Sequence, residues 1–390
     1  MGTGRRRRTA APTRPRRLGD RQAGALLAAG LGLLLLANAA AWRRERALAR
    51  RLRAAPASPR AAPAAPPRVS ILVAARDEAR LIERHLASVR GLRYPNLEYV
   101  LCAGGADDTL ARARRAAVGP MQVLVQEPGD GKQGALRRCL ERASGEIVFL
   151  TDADCLLEDE RFERVLAPVL DGRAVVATAP SDPLPEQRAS DFVRHQWAAG
   201  VYARSLAPVD LPLLSGRNTA IRMDVLREVG GFTEPAPVGT DYHLARRLLA
   251  RGYRIRLVRD GAVVTEYETG VLDYLRQQSR WLKAQWIHGR RFDAWRAMAP
   301  VARAYAIGVG FALLPCLAPA LGRAAWALWA MGLAHALLHR LRQLRLSQIV
   351  ADVPVSRSTW LSSAVYAPLD LLRLAYGVLD AALPGAERRW

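Results

Sequence analysis

The sequence predicts an α/β domain on a largely parallel sheet, with helices on both faces and apolar segments on either side of it. Three observations predict this. Apolar, β-branched runs alternate with helical patterns from residue 69 to 270. Carboxylates collect where several of those runs end. Long uncharged stretches precede and follow the region.

The elements follow in order. "RVSILVAA" reads as a strand and Glu78 to Arg90 as a helix; "LEYVLCA" and "MQVLVQE" read as further strands, each with a helical stretch behind it. "GEIVFLTDAD" gives a fourth strand, which ends on Asp152 and Asp154. Like charges so close raise each other's pKa, so the pair belongs in solvent or around a cation. In open sheets of this class ligands bind beyond the carboxyl ends of the strands. Asp77 with Glu78, and Asp107 with Asp108, stand at two other such ends. Three acidic turns facing one crevice favour a cation or a polyhydroxy ligand. "GTDYHLARRLLARGYRIRLV" then reads as turn, helix and strand, with Asp241 in the first helical turn. Taken alone, Asp241 or Thr240 could be only a helix cap.

Residues 271–298 read as an amphipathic helix for the membrane interface, rich in Trp and Arg. Within it Gln277, Arg280 and Trp281 share a face at i, i+3 and i+4.

The 390 residues carry a formal charge of +22, but its placement argues against nucleic acid. Residues 1–68 hold 16 Arg against Asp20 and Glu45, whereas 69–282 hold equal numbers of basic and acidic residues. The charge lies beside hydrophobic segments, where anionic headgroups would meet it. A basic tail (1–22), a transmembrane helix (23–42) and a basic Ala/Pro linker (43–68) precede the domain. Two spans over 299–340 follow it. A third segment, 358–384, is interrupted by Asp370, Arg373 and Asp380, and reads as a partly buried span or an interfacial helix. The four cysteines have no paired spacing and suggest neither zinc nor disulfides.

Taken together, "SILVAARDEA", "AGGADDT", "GDGKQGALRR", "TDAD", "SGRNTAIR…VGGF", "GTDYHL" and "QQSRW", in this order and ahead of membrane segments, resemble the membrane-embedded family 2 glycosyltransferases of the GT-A fold. The resemblance implies an inverting transfer of sugar from a nucleotide donor, a UDP-sugar being favoured, to a lipid acceptor or growing glycan. It implies that Asp152 and Asp154 hold Mg²⁺ or Mn²⁺ and that Asp241 is the general base. Gln277, Arg280 and Trp281 would position the diphosphate and acceptor, with Lys132 near the diphosphate. Asp77, Glu78, Asp107 and Asp108 would line the donor site. The chain departs from many relatives at the end of the second strand. There Ala103 and Gly104 replace the acidic residue that reads uracil, leaving Asp107 or Asp108 to reach in, or backbone groups to read the base. The resemblance also implies an integral protein of the plasma (inner) membrane with a cytoplasmic catalytic domain. A single addition to a lipid, as by ceramide glucosyltransferases or polyprenyl-phosphate sugar synthases, is the alternative to polymer synthesis. A silent scaffold would have lost the motifs that are present here.

Overall fold

The computed structural model describes residues 20–58, 65–234, 236 and 238–382. Most of the expected tail (1–22), residues 59–64 of the linker and the end of the 358–384 segment lie outside them.

Helix α1 (Asp20–Ala54) leads into the alternating half of the domain. That half comprises β1 (Val69–Arg76), α2 (Ile82–Arg90), β2 (Leu97–Gly104), α3 (Thr109–Ala116), β3 (Met121–Val125), α4 (Gly131–Arg142) and β4 (Ile147–Asp152). Next come β5 (Cys155–Leu156), α5 (Asp159–Leu170), β6 (Val176–Thr178), β7 (Ser181–Pro183), α6 (Asp191–Leu206) and β8 (Asp210–Leu211). The strands β9 (Asn218–Arg222), β10 (Ile255–Leu257) and β11 (Val263–Thr265) enclose helices α7 (Met223–Glu228) and α8 (Thr240–Ala250). Five helices close the chain: α9 (Val271–Arg291), α10 (Trp295–Leu313), α11 (Ala318–Leu321), α12 (Arg323–Ala351) and α13 (Arg357–Ala382).

Eight strands form one sheet in the order β3-β2-β1-β4-β9-β6-β10-β8. β1, β2, β3 and β4 are parallel, as the alternation predicts, but β9 runs antiparallel to both β4 and β6. The sheet is therefore mixed rather than largely parallel. A five-residue strand buried on both faces, "NTAIR", carries no sequence signal of its direction. The reversal matters for the site, because it pairs Asn218 with Thr151 and sets residues 216–217 beside the end of β4.

Alternate strand residues feed two cores. Ile71, Val73, Leu101 and Phe149 pack with Ile82, Leu86, Phe162 and Val165. Leu72, Val100, Val148 and Leu150 pack with Leu136, Leu226, Leu244 and Leu248. Burial on both faces is why the strands read as unbroken apolar runs. Cys102, Cys139 and Cys155 are buried and free, as small apolar residues would be, whereas Cys316 is exposed.

Among the described residues one helical segment, Met298–Ala320, is long and apolar enough to cross a membrane, judged by length and composition. α12 continues well past His339 and packs against α1, α6 and α13. The charges that interrupt the last segment each find a partner. Asp370 receives both Arg340 Nε (2.7 Å) and Nη2 (3.1 Å), Arg373 reaches Gln278 Oε1 at 2.7 Å, and Asp380 meets Lys283 Nζ at 2.6 Å. Likewise Arg342 of α12 pairs with Glu45 of α1 at 3.2 Å, both side chains being buried.

At the end of the sheet away from the site, the buried Glu98 staples three strands together. Its carboxylate accepts from Ser144 N (2.5 Å), Ser144 Oγ and Gly145 N (both 2.9 Å), and from Ser70 Oγ. Burial alone would raise the Glu98 pKa, but these donors outweigh it and hold the group below its usual value. Its contribution is thus complete above the ordinary Glu pKa and fades as pH falls through the lowered value. We expect Glu98→Ala to cost about 1.5–3 kcal/mol at neutral pH. Thermal unfolding should show the gap to the parent narrowing in acid, and an unchanged gap would refute the ionised role.

Candidate active site

The site opens at the carboxyl ends of β1 and β4. Asp152, the last residue of β4, is bracketed by cations: Lys132 Nζ, from the first turn of α4, lies 2.6 Å from Oδ1, and Arg217 Nε lies 3.8 Å from Oδ2. Burial pushes the Asp152 pKa up, but Lys132 and then Arg217 overcome it and hold the group low. The same balance, burial against Asp152, leaves the Lys132 ammonium above its ordinary value. Asp154 accepts from Thr265 Oγ1 at 2.9 Å, and Thr265 Oγ1 stands 3.4 Å from Arg217 Nη1. Burial opposes the Arg217 charge, yet Asp154 and Asp152 together hold its pKa above the usual guanidinium range.

Glu78 completes this acidic group. Burial first, then Asp154 and Asp152, push its carboxyl up to about 7. Asp152 and Asp154 thus share two close cations, while Arg80, paired with Glu266, offsets part of the repulsion on Glu78.

Asp241 lies in the first turn of α8, behind Gly239 in the left-handed conformation. Its Oδ1 accepts from Tyr242 N at 2.8 Å. Gly216 lies against it, and a Cβ there would fall 3.0 Å from the Asp241 Cβ. Gly216 precedes Arg217, so Asp241 packs against the segment that carries the cation beside Asp152, and its charge also helps hold the Lys132 pKa up.

In the two remaining acidic turns, Asp77 and Asp107 serve the backbone instead. Asp77, at φ 56°, accepts from Ala106 N at 2.5 Å. Asp107 accepts from Ala79 N (3.0 Å), Thr109 N (2.9 Å) and Thr109 Oγ1. These bonds tie the loops after β1 and β2 to each other. A carboxylate at a strand end satisfies loose N–H groups as readily as it binds ligand, so the acidic turns look alike in the sequence. Asp108 is exposed beside them, and Gly104 packs on Gln126 so closely that a Cβ would come within 2.9 Å of that side chain.

On α9, Gln277 Nε2 donates to Glu268 Oε1 at 3.1 Å. Burial raises the Glu268 pKa, and the charge of Arg280 opposes it. Arg217 and Glu266 also act on Glu268, which links the α9 face to the β4 end. Trp281 is 52% exposed, beside Trp286 at 47%.

Sequence reasoning singled out neither Arg217, Thr265, Glu266 nor Glu268. A signal was present in "VVTEYETG", where a strand again empties into two carboxylates one residue apart, as in "TDAD". Arg217 stands in the quoted "SGRNTAIR" run, but no charge pattern there marks it, and its neighbours come from β4 and β11.

The architecture is that of a GT-A domain. A family profile described as glycosyltransferase like family 2 matches residues 66–284, more than half the chain. The chain belongs to glycosyltransferase family 2. It is 26% identical over 205 residues to the glycosyltransferase AglE of Haloferax volcanii, covering 50% of this chain and 65% of the relative. It is 26% identical over 245 residues to the beta-monoglucosyldiacylglycerol synthase of Trichormus variabilis, covering 59% of this chain and 51% of the relative. The chain therefore spans less than two thirds of these relatives' lengths. Among solved structures, the mannosyltransferase PcManGT from Pyrobaculum calidifontis, in complex with GDP-Man and Mn²⁺, shares the fold. Its TM-score is 0.53 at 22% identity, over 92% of this chain and 97% of that one.

The raised Glu78 pKa yields a test. Between its ordinary 4.5 and about 7 the folded state binds the proton more tightly, so ionising Glu78 costs stability as pH rises through that window. With chelator present, Glu78→Gln should melt above the parent at pH 8 and level with it near pH 4. Equal shifts at both pH values would show that Glu78 does not share the acidic group's repulsion.

Proposed function

We propose that this chain is an inverting, metal-dependent transferase that moves one sugar from a nucleoside diphosphate donor to a hydroxyl on a membrane-borne lipid. The carrying observation is the Lys132–Asp152–Arg217 group at the end of β4, with Asp241 packed against Gly216, the residue before Arg217.

A divalent cation fits the oxygen donors here. Among the described residues no three His, Cys, Asp or Glu side chains are spaced to hold a metal on their own. Mg²⁺, however, is commonly bound by one or two carboxylates together with substrate phosphates. Asp154, with Asp152 beside it, would hold Mg²⁺ or Mn²⁺, and the ion would supply charge stabilisation for the departing diphosphate. The chain's own cations work toward the same end. Lys132 and Arg217 offer positive charge beside Asp152, and Arg280 brings a planar fork from α9. Asp241, with one oxygen turned from its own backbone bond, takes the proton of the attacking hydroxyl. Attack on the face opposite the leaving diphosphate inverts the anomeric carbon. That the site carries a base favours a hydroxyl acceptor, which is a poor nucleophile until deprotonated.

Two observations support a lipid acceptor. The relative from Trichormus variabilis is named for synthesis of a glucosyldiacylglycerol. In this chain the α9 face carries exposed Trp281 and Trp286, followed by Trp295 at the start of α10 and the apolar segment Met298–Ala320. Such rings suit the headgroup level of a bilayer. In this reading Met298–Ala320 spans the inner membrane, α9 lies at the interface, and the domain faces the cytoplasm, where nucleotide sugars are made. The base of the donor meets no carboxylate at Ala103 or Gly104, and Asp107 is engaged with backbone. We therefore expect weak selection of the base, with UDP-sugars first to test and GDP-sugars alongside them.

The decisive experiment is a radiolabelled nucleotide-sugar panel on purified membranes, with lipid and polymer products separated. A labelled polymer in place of a discrete glycolipid would overturn single addition. Asp241→Asn should still bind Mn²⁺ and nucleoside diphosphate, yet lose at least roughly 10²-fold in turnover. Normal turnover in that variant would remove Asp241 from the chemistry. Asp154→Asn should weaken divalent-ion dependence, and parent activity that survives chelation would end the metal assignment.

A further inference from the structure

α9 carries Gln277, Arg280 and Trp281 outward, but its inner face does something else. There Ala284 and His288 press on the segment entering α8. His288 Nε2 stands 2.6 Å from the Val238 carbonyl oxygen, so Nε2 must bear the proton and donate it. Gly239 follows at φ 61°, and a Cβ there would collide with the Ala284 methyl. The Gly239 carbonyl then accepts from His243 N at 2.9 Å, the bond that opens the helix carrying Asp241. The His288 ring also stacks on His243, with centroids 4.8 Å apart and planes at 30°.

A buried histidine is often only filler, and the stacking on His243 would suit an aromatic ring. Filler would be cheaper without nitrogen, however. His288 Nδ1 is buried with no hydrogen-bond partner among the described residues, a loss that an apolar side chain would avoid. What the imidazole adds is the donor to Val238, three residues before Asp241. Burial pushes the His288 pKa down, the bond to the Val238 carbonyl opposes it, and Arg291 and Asp241 act in opposite senses.

We propose that His288 is a positioning residue for Asp241, holding the Val238–Gly239 corner so that α8 presents the carboxylate to the acceptor. The inference rests on Asp241 being the base. It also joins the base to the C-terminal helices. On the neighbouring turns of α9, Ser279 Oγ donates to Asp380 of α13 at 2.5 Å and Gln278 receives Arg373 at 2.7 Å. One helix thus touches α13 on one side and the base corner on the other.

The test is a set of full-length variants: His288→Leu, His288→Gln, Asp241→Asn and the Asp241→Asn/His288→Leu double variant. His288→Leu should lower kcat by about tenfold to a hundredfold, the cost of a small misplacement. Donor KM and calorimetric binding of Mn²⁺ with nucleoside diphosphate should stay near the parent's. His288→Gln, whose amide nitrogen can replace Nε2 as donor, should recover most of the rate. The double variant should be no slower than Asp241→Asn, because His288 acts only through that carboxylate. If His288→Leu does not accumulate, His288→Asn, polar but shorter, takes its place with the same expectation of lost rate. A further loss in the double variant, or a Gln variant as slow as Leu, would overturn the proposal. Parent-like turnover of Asp241→Asn would instead defeat the base assignment itself, and this inference with it.

Discussion

The constraint on which this structure turns is the repulsion among carboxylates at the end of β4. Asp152, Asp154 and Glu78 come together because β1 and β4 are parallel neighbours whose ends coincide, Ala74 facing Asp152 across the ladder. Partly withdrawn from water, they cannot all stay charged without compensation. Lys132 and Arg217 provide part of it, Arg80 eases Glu78, and the raised Glu78 pKa, about 7, reflects what is left uncompensated. A site arranged this way is incomplete by design. With its carboxyl pushed up to about 7, Glu78 is only partly ionised near neutral pH, and in the proposed reaction an incoming cation would displace its proton.

The same economy governs the C-terminal helices. Ionisable side chains within such helices are costly unless paired, and here they are paired across helices: Asp370 with Arg340, Asp380 with Lys283, and Arg342 with Glu45. These pairs fix which face each helix turns inward. They also explain why α13 carries charges in an otherwise apolar run. It is a helix against protein on one side, with Leu361, Val365 and Leu379 exposed on another. α9 sits where this assembly meets the catalytic domain, packed on α8, α10 and α13.

The loops at the donor end show how similar residues part company. Asp77, Glu78, Asp107 and Asp108 share a composition and a place at strand ends. Asp77 and Asp107 are consumed in holding one another's loops, with backbone N–H groups as their partners. Only Glu78 turns toward the β4 carboxylates. The division follows from φ at Asp77 and from the glycine at 105, where a Cβ would strike the Asp77 carboxylate.

The sequence by itself determined the alternating half of the domain, because strands buried on both faces must be apolar throughout and the helices between them keep a 3.6-residue period. It also marked Asp152 and Asp154 through the strand that ends on them, and Lys132 and Asp241 through the short motifs they stand in, but not the partners that the fold gives them, such as Lys132 for Asp152 and Thr265 for Asp154. The direction of β9 was decided only in three dimensions: a short, fully buried strand has the same pattern either way. With that direction came Arg217, whose partners lie 65 residues earlier in β4 and 48 later in β11. The partners of Asp370, Arg373 and Asp380 were likewise hidden, because an ion pair between helices leaves no periodicity in either one. Local patterns record what a segment buries. Only the tertiary structure records what it is buried against.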